Sequence, residues 1–288
     1  MAVAVTGITH SASFTTLSTT TGSFTPSNNS LLVVFVCAVD GGGAIDINAG
    51  TVSGGSLTWT QRLRQGLRDN ADASMISPPA PNAGYRTYLE VWTAPVTTGA
   101  SMTVTASNAN AVGESHIMQH VLEATGHDTS SPIGASIIGT TSAFNGAASV
   151  TLSGSPAATS VVVAGRYFNP YSADTTATPG SGWTEVYDNA DGDAGGYLSL
   201  QTQFKLNVGS TSVDWTDINV GDDAGFLKTI GAALEILASA ASGQPTIKRF
   251  GGVPFASSLS HSGGKVWAPV MAPRMVGQSI PVGARRSA

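Results

Sequence analysis

The chain has 288 residues, of which 41% are apolar and only 11% are charged, less than half the charged share of about 25% that is usual in globular proteins. This composition excludes an intrinsically disordered chain, which needs few apolar and many charged residues, and no apolar run approaches the length of a membrane-spanning helix. The net charge of −5 is unevenly distributed, because residues 1–240 sum to −11 whereas residues 241–288 hold six basic residues and no acidic one. The single cysteine, Cys37, excludes an intrachain disulfide, and its apolar surroundings are typical of a buried, inert thiol.

Short apolar segments bounded by Gly, Pro, Asn or Asp follow one another as far as residue 240 and predict β-strands. The first set of predicted strands is Ala12–Leu17, Leu31–Val39, Leu57–Leu63, Arg86–Thr93, Ser101–Ala106 and Ser115–Ala124. The second set is Ala148–Leu152, Ser160–Phe168, Gly182–Tyr187, Tyr197–Leu206, Thr211–Trp215 and Lys228–Leu237. The last segment could also be a helix by propensity, but its match with the first set favours a strand. We therefore predict an all-β body without a long amphipathic helix.

The two sets resemble each other in order, which predicts a duplicated unit. The segment "PSNNSLLVV" is similar to "PAATSVVVA", "TWTQ" to "GWTE" and "VLEA" to "ALEI", with offsets that shorten from 130 to about 110 residues. We predict an antiparallel, jelly-roll-like β-sandwich over residues 1–240, built from two similar halves at about 1–126 and 133–240. A single roll is favoured because the join at 126–139 lacks linker character, and two tandem sandwiches are the alternative. An extended, irregular C-terminal arm follows at 241–288.

The succession "SLLVVFV", "LTWTQ", "YLEVWTAPVTTGASMTVTAS" and "VLEATG", then "SVVVAG", "GWTEV", "GYLSLQTQF", "VDWT" and "ALEIL" resembles a family of jelly-roll-type domains. These domains occur in bacteriophage virion proteins, as capsid decoration, tail or fibre components, and in bacterial surface proteins. The resemblance covers about residues 1–240 and rests on Trp, Gly and apolar alternation. It implies a structural or adhesive module without an active site.

Two segments contain residues that metals favour as ligands. The Asp188–Asp193 loop holds three acids among Asn and Gly, which is typical of a hairpin turn; whether it binds calcium is left open. Glu114, His116 and His120 lie close in sequence, but two His residues four apart on a strand are about 13 Å apart at 3.3 Å per residue. We therefore predict no metal site and no cofactor.

Glu90 and Glu185 are the carboxylates that a glycosidase interpretation would use. On strands that alternate with core residues, we expect both to point outward or to a sheet edge, and no second acid completes the pair. The chain also lacks a nucleophile elbow and a phosphate-binding loop, so it is not predicted to be an enzyme. Aromatic residues near turns could instead form a sugar-stacking platform, namely Tyr85, Tyr88, Trp92, Tyr167, Phe168 and Tyr171.

The arm combines basic residues with large apolar side chains at intervals, which free linkers usually lack. Its charge is opposite to that of the body, so we expect it to lie across a neighbouring subunit, with apolar side chains in pockets and basic ones paired with acids. The basic residues are too sparse to favour nucleic acid. The predicted docking residues are Lys248, Arg249, Phe250, Phe255, Lys265, Trp267, Arg274, Arg285 and Arg286.

These features together predict a bacteriophage virion structural protein that its arm anchors to other virion proteins and to copies of itself, a trimer being expected for a fibre. The N-terminal sequence shows no signal peptide, so we expect synthesis in the host cytoplasm and assembly into the virion, with no membrane partner. The alternative is a carbohydrate- or receptor-binding adhesin module that contacts a host surface glycan. A polysaccharide-degrading enzyme is the least favoured function.

Overall fold

A computed structural model describes residues 2–40, 50–67, 75–76, 87–108, 115–141, 148–168, 177–190, 198–206, 209–218 and 229–240. Over these ranges the chain forms β-strands and no helix, so the all-β prediction is confirmed. None of these segments provides a helix that could cross a membrane. The chain divides into two compact units, residues 1–243 and 244–288, and the second unit lies wholly outside the described ranges.

Within the described ranges, nine strands precede residue 126 and eight follow it. The first nine are β1 Ala4–Ser13, β2 Ser18–Thr20, β3 Ser30–Asp40, β4 Thr51–Ser53, β5 Thr60–Leu67, β6 Met75–Ile76, β7 Thr87–Val96, β8 Thr105–Ser107 and β9 Ser115–Thr125. The others are β10 Ile133–Thr141, β11 Ala148–Thr151, β12 Val161–Phe168, β13 Ala177–Pro179, β14 Thr184–Ala190, β15 Ser199–Leu206, β16 Ser212–Ile218 and β17 Thr229–Ile236.

All hydrogen-bonded pairs among these described strands are antiparallel, and the strands form four sheets. The first half contains a large sheet in the order β1-β9-β3-β7-β5-β6 and a small sheet in the order β2-β8-β4. The second half contains a large sheet in the order β10-β17-β12-β15-β14 and a small sheet in the order β11-β16-β13. With the two-residue β6 set aside, the order in each half is first, eighth, third, sixth and fifth strand, beside second, seventh and fourth. The same connectivity therefore occurs twice.

Local contacts repeat along with the strand order. Glu123 accepts a hydrogen bond from the backbone N–H of Ser27 at 2.5 Å, and Glu235 accepts the corresponding bond from Ala157 at 2.6 Å. Both contacts tie the eighth strand of a half to the turn before its third strand, where a serine hydroxyl also bonds back to the turn. Glu235 differs from Glu123 in accepting a second N–H, from Ala135 at 2.7 Å. The two halves thus share anchoring contacts as well as topology.

The hydrophobic core lies in three layers between the four sheets. The central layer joins the two large sheets and includes Phe35, Leu122, Val163 and Leu234, all buried. A second cluster fills the space between the first large sheet and its small sheet, and a third does so in the other half. The large sheets are therefore apolar on both faces, which explains the continuous apolar run of β3.

The two halves meet at a pair of equivalent positions. Phe35 and Gly165 are the sixth residue of β3 and the fifth of β12, 130 residues apart, like the matching segments in the sequence. A Cβ added at Gly165 would lie 2.7 Å from Cε1 and 3.0 Å from Cγ of Phe35. The phenylalanine ring therefore occupies the space that a side chain at position 165 would need. Contact between a residue and its own counterpart is characteristic of an approximate two-fold relation.

Several strands escaped prediction because their burial patterns are incomplete or short. The prediction of a strand at Ala12–Leu17 was wrong, because β1 ends at Ser13 and a bend follows. The edge strand β10 was missed, since it is partly exposed along its length and lacks an apolar run. The three-residue strands β2 and β4 bury only their central residue, which is too short a pattern to recognise. The final segment is a strand, as its match predicted.

Candidate functional site: a buried polar row in each half

A row of four opposed residues, three of them polar, crosses the large sheet of the first half. Arg64 on β5 lies opposite Glu90 on β7, which lies opposite Val36 on β3, and Val36 lies opposite Gln119 on β9. Directly opposed residues in antiparallel strands have side chains on the same face. Glu90 alternates with the central-layer residue Val91, so this face is the one toward the small sheet.

Glu90 is fully buried and is held by one ion pair and two hydrogen bonds. Its carboxylate lies 3.2 Å from Nε of Arg64 and accepts hydrogen bonds from the indole N–H of Trp92 at 2.7 Å and the backbone N–H of Gly50 at 3.1 Å. Burial raises the pKa of Glu90, and the indole, the guanidinium and the backbone N–H each oppose that rise. The guanidinium also lies over the ring of Tyr88, 5.7 Å from its centroid. The first half therefore contains a compensated internal ion pair.

The corresponding row of the second half has a different order of charges. Asp188 on β14 lies opposite Gln201 on β15, Gln201 lies opposite Arg166 on β12, and Arg166 lies opposite Gly231 on β17. Gln201 thus occupies the strand position that Glu90 has in the first half, and Asp188 occupies that of Arg64. The acid and the base of the second row are separated by an uncharged residue, a distance of about 10 Å across two strand spacings.

Arg166 is fully buried without an acidic partner among the described residues. Its Nη2 donates to the hydroxyl of Thr229 at 3.2 Å, and the guanidinium carbon lies 5.8 Å from the centroid of the Trp215 ring. Its Nε and Nη1 have no hydrogen-bond partner within the described part of the chain. Burial lowers the pKa of Arg166 to about 9, so the guanidinium stays charged at neutral pH. The indole N–H of Trp215 donates to Oε1 of Gln201 at 2.7 Å.

Asp188 is the acidic end of this row. Its Oδ2 accepts the backbone N–H of Ala177 at 3.1 Å, whereas its Oδ1 is buried without a hydrogen-bond partner in the described ranges. Burial raises the pKa of Asp188 to about 6, with a further contribution from the charge of Glu185, while the Ala177 N–H opposes the rise. Asp188 is therefore a strand residue held within the fold; Asp191 and Asp193 lie outside the described residues, and calcium binding there stays open.

The structure corrects the expectation for one of the two glutamates considered as catalytic. Glu90 does not point outward but is completely buried, because its face of β7 is covered by the small sheet. Glu185 is exposed, as expected. Glu90 is a member of the row in the first half. Glu185 lies beside the row in the second half and is not part of it.

The histidines of β9 are buried in separate settings. His120 shares a 2.8 Å hydrogen bond between its Nδ1 and Oγ1 of Thr202, and its ring stacks on Tyr187 with centroids 4.7 Å apart. The rings of His116 and Phe14 lie side by side, with centroids 5.8 Å apart. In the part of the chain that the structure describes, no group of three His, Cys, Asp or Glu side chains could hold a metal.

Two residues of the proposed aromatic platform lie in the interior. Tyr88 and Tyr167 are fully buried, so neither can stack on a sugar, and Trp92 is half-buried beside Glu90. Tyr85 and Tyr171 lie outside the described residues, and so do all nine predicted docking residues of the arm.

Comparisons with known proteins found no match. No family model, no curated protein and no solved structure is significantly similar to this chain.

Sequence reasoning missed Arg64, Arg166 and Gln201. One signal was available, because Arg166 interrupts the predicted apolar strand "SVVVAGRYF", where a charged residue on a face that is otherwise buried is unusual. The relation between the rows could not be read from the sequence, since it depends on strand pairing between residues as far apart in the chain as Val36 and Gln119.

Proposed function

We propose that this chain is a bacteriophage virion structural protein and that each half of its body is a variant of the jelly roll. A jelly roll has eight strands in two sheets connected as two Greek keys. The repeated strand order, first-eighth-third-sixth beside second-seventh-fourth, supports this assignment and carries the proposal. The departure is that the fifth strand pairs with the sixth in the large sheet. Of the two arrangements considered from the sequence, this connectivity supports two tandem sandwiches.

The outward side chains of the small sheets support a display role. Paired hydroxyls cover the small sheet of the first half, with Thr20 and Thr105 2.9 Å apart and Thr51 and Ser107 3.0 Å apart. Such a surface has little charge, so copies of the domain can lie side by side without strong mutual repulsion. We propose no catalytic role, because the buried carboxylate of the first row is engaged by its ion pair with Arg64 and by hydrogen bonds from Trp92 and Gly50.

The attachment device in this proposal is the arm at residues 241–288. Its charge of +6 opposes the −11 of residues 1–240, and its nine predicted docking residues combine basic and large apolar side chains. Contacts of this kind are effective where an apolar anchor fills a pocket and a polar rim surrounds it. The partners are copies of the same chain and other virion proteins.

The test compares the full chain with a chain that ends at Ser242. Full-length protein should co-sediment with particles in a density gradient of lysate from phage-producing cells, at a fixed copy number measured by mass spectrometry. The shortened chain should keep its β-rich circular dichroism spectrum and remain in the soluble fraction. If the shortened chain enters particles as well as the full chain does, the arm is not the attachment device. If neither enters any particle, the chain is not a virion component.

A further inference from the structure

Each large sheet ends in strands that have a strand partner on one side only, within the described ranges. These edges are β1 and β5, with the short β6 beside it, in the first half, and β10 and β14 in the second half. An edge strand presents unpaired N–H and C=O groups, which are a template for pairing with another chain, and proteins guard such edges with charged residues, prolines or β-bulges. The four edges differ in how well they are guarded.

Three of the edges have a guard in the stretch that could pair. The edge at β5 contains two arginines and a bulge after Gln61, and β6 covers its end. The edge at β14 contains two acidic residues and a bulge after Glu185. The edge at β1 has a bulge after Gly7, close to the middle of the strand. A second copy that paired along its own equivalent strand would therefore meet a bulge at each of these edges, and at β5 and β14 it would also oppose like charges, which destabilise a sheet.

The edge at β10 is the least guarded. Its bulge lies between Ile133 and Ser136, at the beginning of the strand, and the register with β17 is then continuous from Ser136 to Thr141. The strand sequence "IGASIIGTT" contains no charged residue and no proline. Ile137 packs against the third cluster and Ile138 against the central layer, and both are only half-buried. An added strand would therefore cover apolar surface on both faces of the sheet.

The hydrogen bonds of Ser136 identify which backbone groups face the open side of β10. Its N–H donates to Oγ of Ser153 at 3.2 Å, and its C=O accepts the N–H of Ser153 at 3.3 Å, so both groups point away from β17. Alternate residues of an antiparallel strand direct these groups to the same side. The N–H and C=O groups of Ile138 and Thr140 therefore also face outward, and they have no hydrogen-bond partner among the described residues.

We propose that β10 pairs antiparallel with β10 of a second copy of the chain, about a two-fold axis at Gly139. In this register Ile138 of each copy lies opposite Thr140 of the other, and the two pairs exchange four backbone hydrogen bonds. Gly139 lies opposite its own counterpart and brings no side chain to that close position. A two-fold interface uses the same patch on both copies, so the absence of charge on β10 avoids repulsion across the axis. The five-stranded sheets of the two copies then form one continuous sheet. The proposal rests neither on the arm nor on a virion role.

Sedimentation equilibrium of the full chain over a range of concentrations tests the pairing. The wild type should show a concentration-dependent dimer, because a contact along one strand is small and such interfaces are weak. Thr140→Pro removes an outward N–H that β17 does not use, which an edge strand tolerates. Two of the four new hydrogen bonds are then lost, so the dissociation constant of the dimer should rise about tenfold or more. Thr140→Val keeps the N–H and should associate as the wild type does.

A further variant decides the question if Thr140→Pro does not fold. Thr140→Lys keeps the backbone N–H and places two like charges on diagonal positions across the axis, about 7–8 Å apart. Its dissociation constant should exceed that of Thr140→Val at low salt, and the difference should shrink at high salt. Equal dissociation constants at low salt would overturn the proposal.

A cross-link tests the register. Directly opposed residues of a non-hydrogen-bonded pair have Cα atoms about 4.5 Å apart, which is within the range that a disulfide requires. Gly139→Cys should therefore form a covalent dimer on mild oxidation. Gly209→Cys is the matched control, because Gly209 is exposed and, like Gly139, has no atom within 4 Å of an added Cβ; it should stay monomeric. The native thiol does not interfere, since Cys37 is buried.

Three results would overturn the proposal. They are a wild type that stays monomeric at every concentration, a folded Thr140→Pro chain that associates as strongly as Thr140→Val, and a Gly139→Cys chain that cross-links no faster than Gly209→Cys. Self-association through the arm alone would give the second and third of these results, so the two modes of association are distinguished.

Discussion

The packing of the two halves predicts a large effect of one added methyl group. In Gly165→Ala the new Cβ would lie 2.7 Å from Cε1 and 3.0 Å from Cγ of Phe35, where ordinary contacts are 3.4 Å or more. Both the ring and its surroundings are fully buried, so the ring cannot move into solvent. Overpacking of this kind costs about 1–3 kcal/mol. With an m-value of about 2 kcal/mol/M, a cost of 2 kcal/mol lowers the urea midpoint by about 1 M.

The assay is urea unfolding followed by tryptophan fluorescence, with Gly139→Ala as a matched control. Gly139 is also a strand glycine, but no atom lies within 4 Å of its added Cβ, so its free energy of unfolding should stay within about 1 kcal/mol of the wild type. In a Phe35→Val background, Gly165→Ala should cost less than about 0.5 kcal/mol, because the clashing ring atoms are gone. If Gly165→Ala is as stable as Gly139→Ala, or costs the same in both backgrounds, the inferred contact between the halves is wrong.

Three further predictions concern buried polar groups. Glu235→Gln should lower the free energy of unfolding by about 1–3 kcal/mol, because its amide NH₂ would face a backbone N–H. Glu123→Gln should lower it less, since Glu123 accepts one such bond and Glu235 accepts two. Equal losses in the two variants would contradict the assigned contacts. The pKa of Asp188 is raised to about 6 in the fold. The stability that its protonated carboxyl contributes is therefore fully present below pH 3.8 and is lost as pH rises through 6. The free energy of unfolding of Asp188→Asn, measured across pH 4–7, should lack that loss. A pH profile identical to that of the wild type would refute this assignment to Asp188. The pKa of His120 is lowered to about 3 by burial and by the charge of His10, so stability falls as pH drops from 6.5 toward 3, by up to about 1.4 kcal/mol per pH unit. His120→Gln should flatten this decline, and an unchanged acid limb would show that another group causes it.

The sequence was sufficient for the fold class and for the apolar strands of the large sheets. Leu31–Val39 and Ser160–Phe168 were predicted within one residue at each end of the observed strands, because a strand covered on both faces must be apolar along its whole length. Edge strands such as β1 and β10 were not recognised, because they bury only part of each face. The match of Glu123 with Glu235 was visible as "VLEA" and "ALEI", but the backbone groups that these carboxylates bind were not.

Only the tertiary structure decided what the charged residues do. Glu90 and Glu185 both lie on strands of the large sheets, yet one is buried beside Arg64 and the other is exposed, because the small sheet covers the face of β7 that contains Glu90. Arg166 lacks a carboxylate because strand pairing places Gln201 between it and Asp188. Pairing of this kind joins residues that are distant in the chain, and the physical reason it escapes the sequence is that register is set by the packing of whole sheets. The amino-acid order determined that the chain would form sheets; the sheets determined which charges would meet.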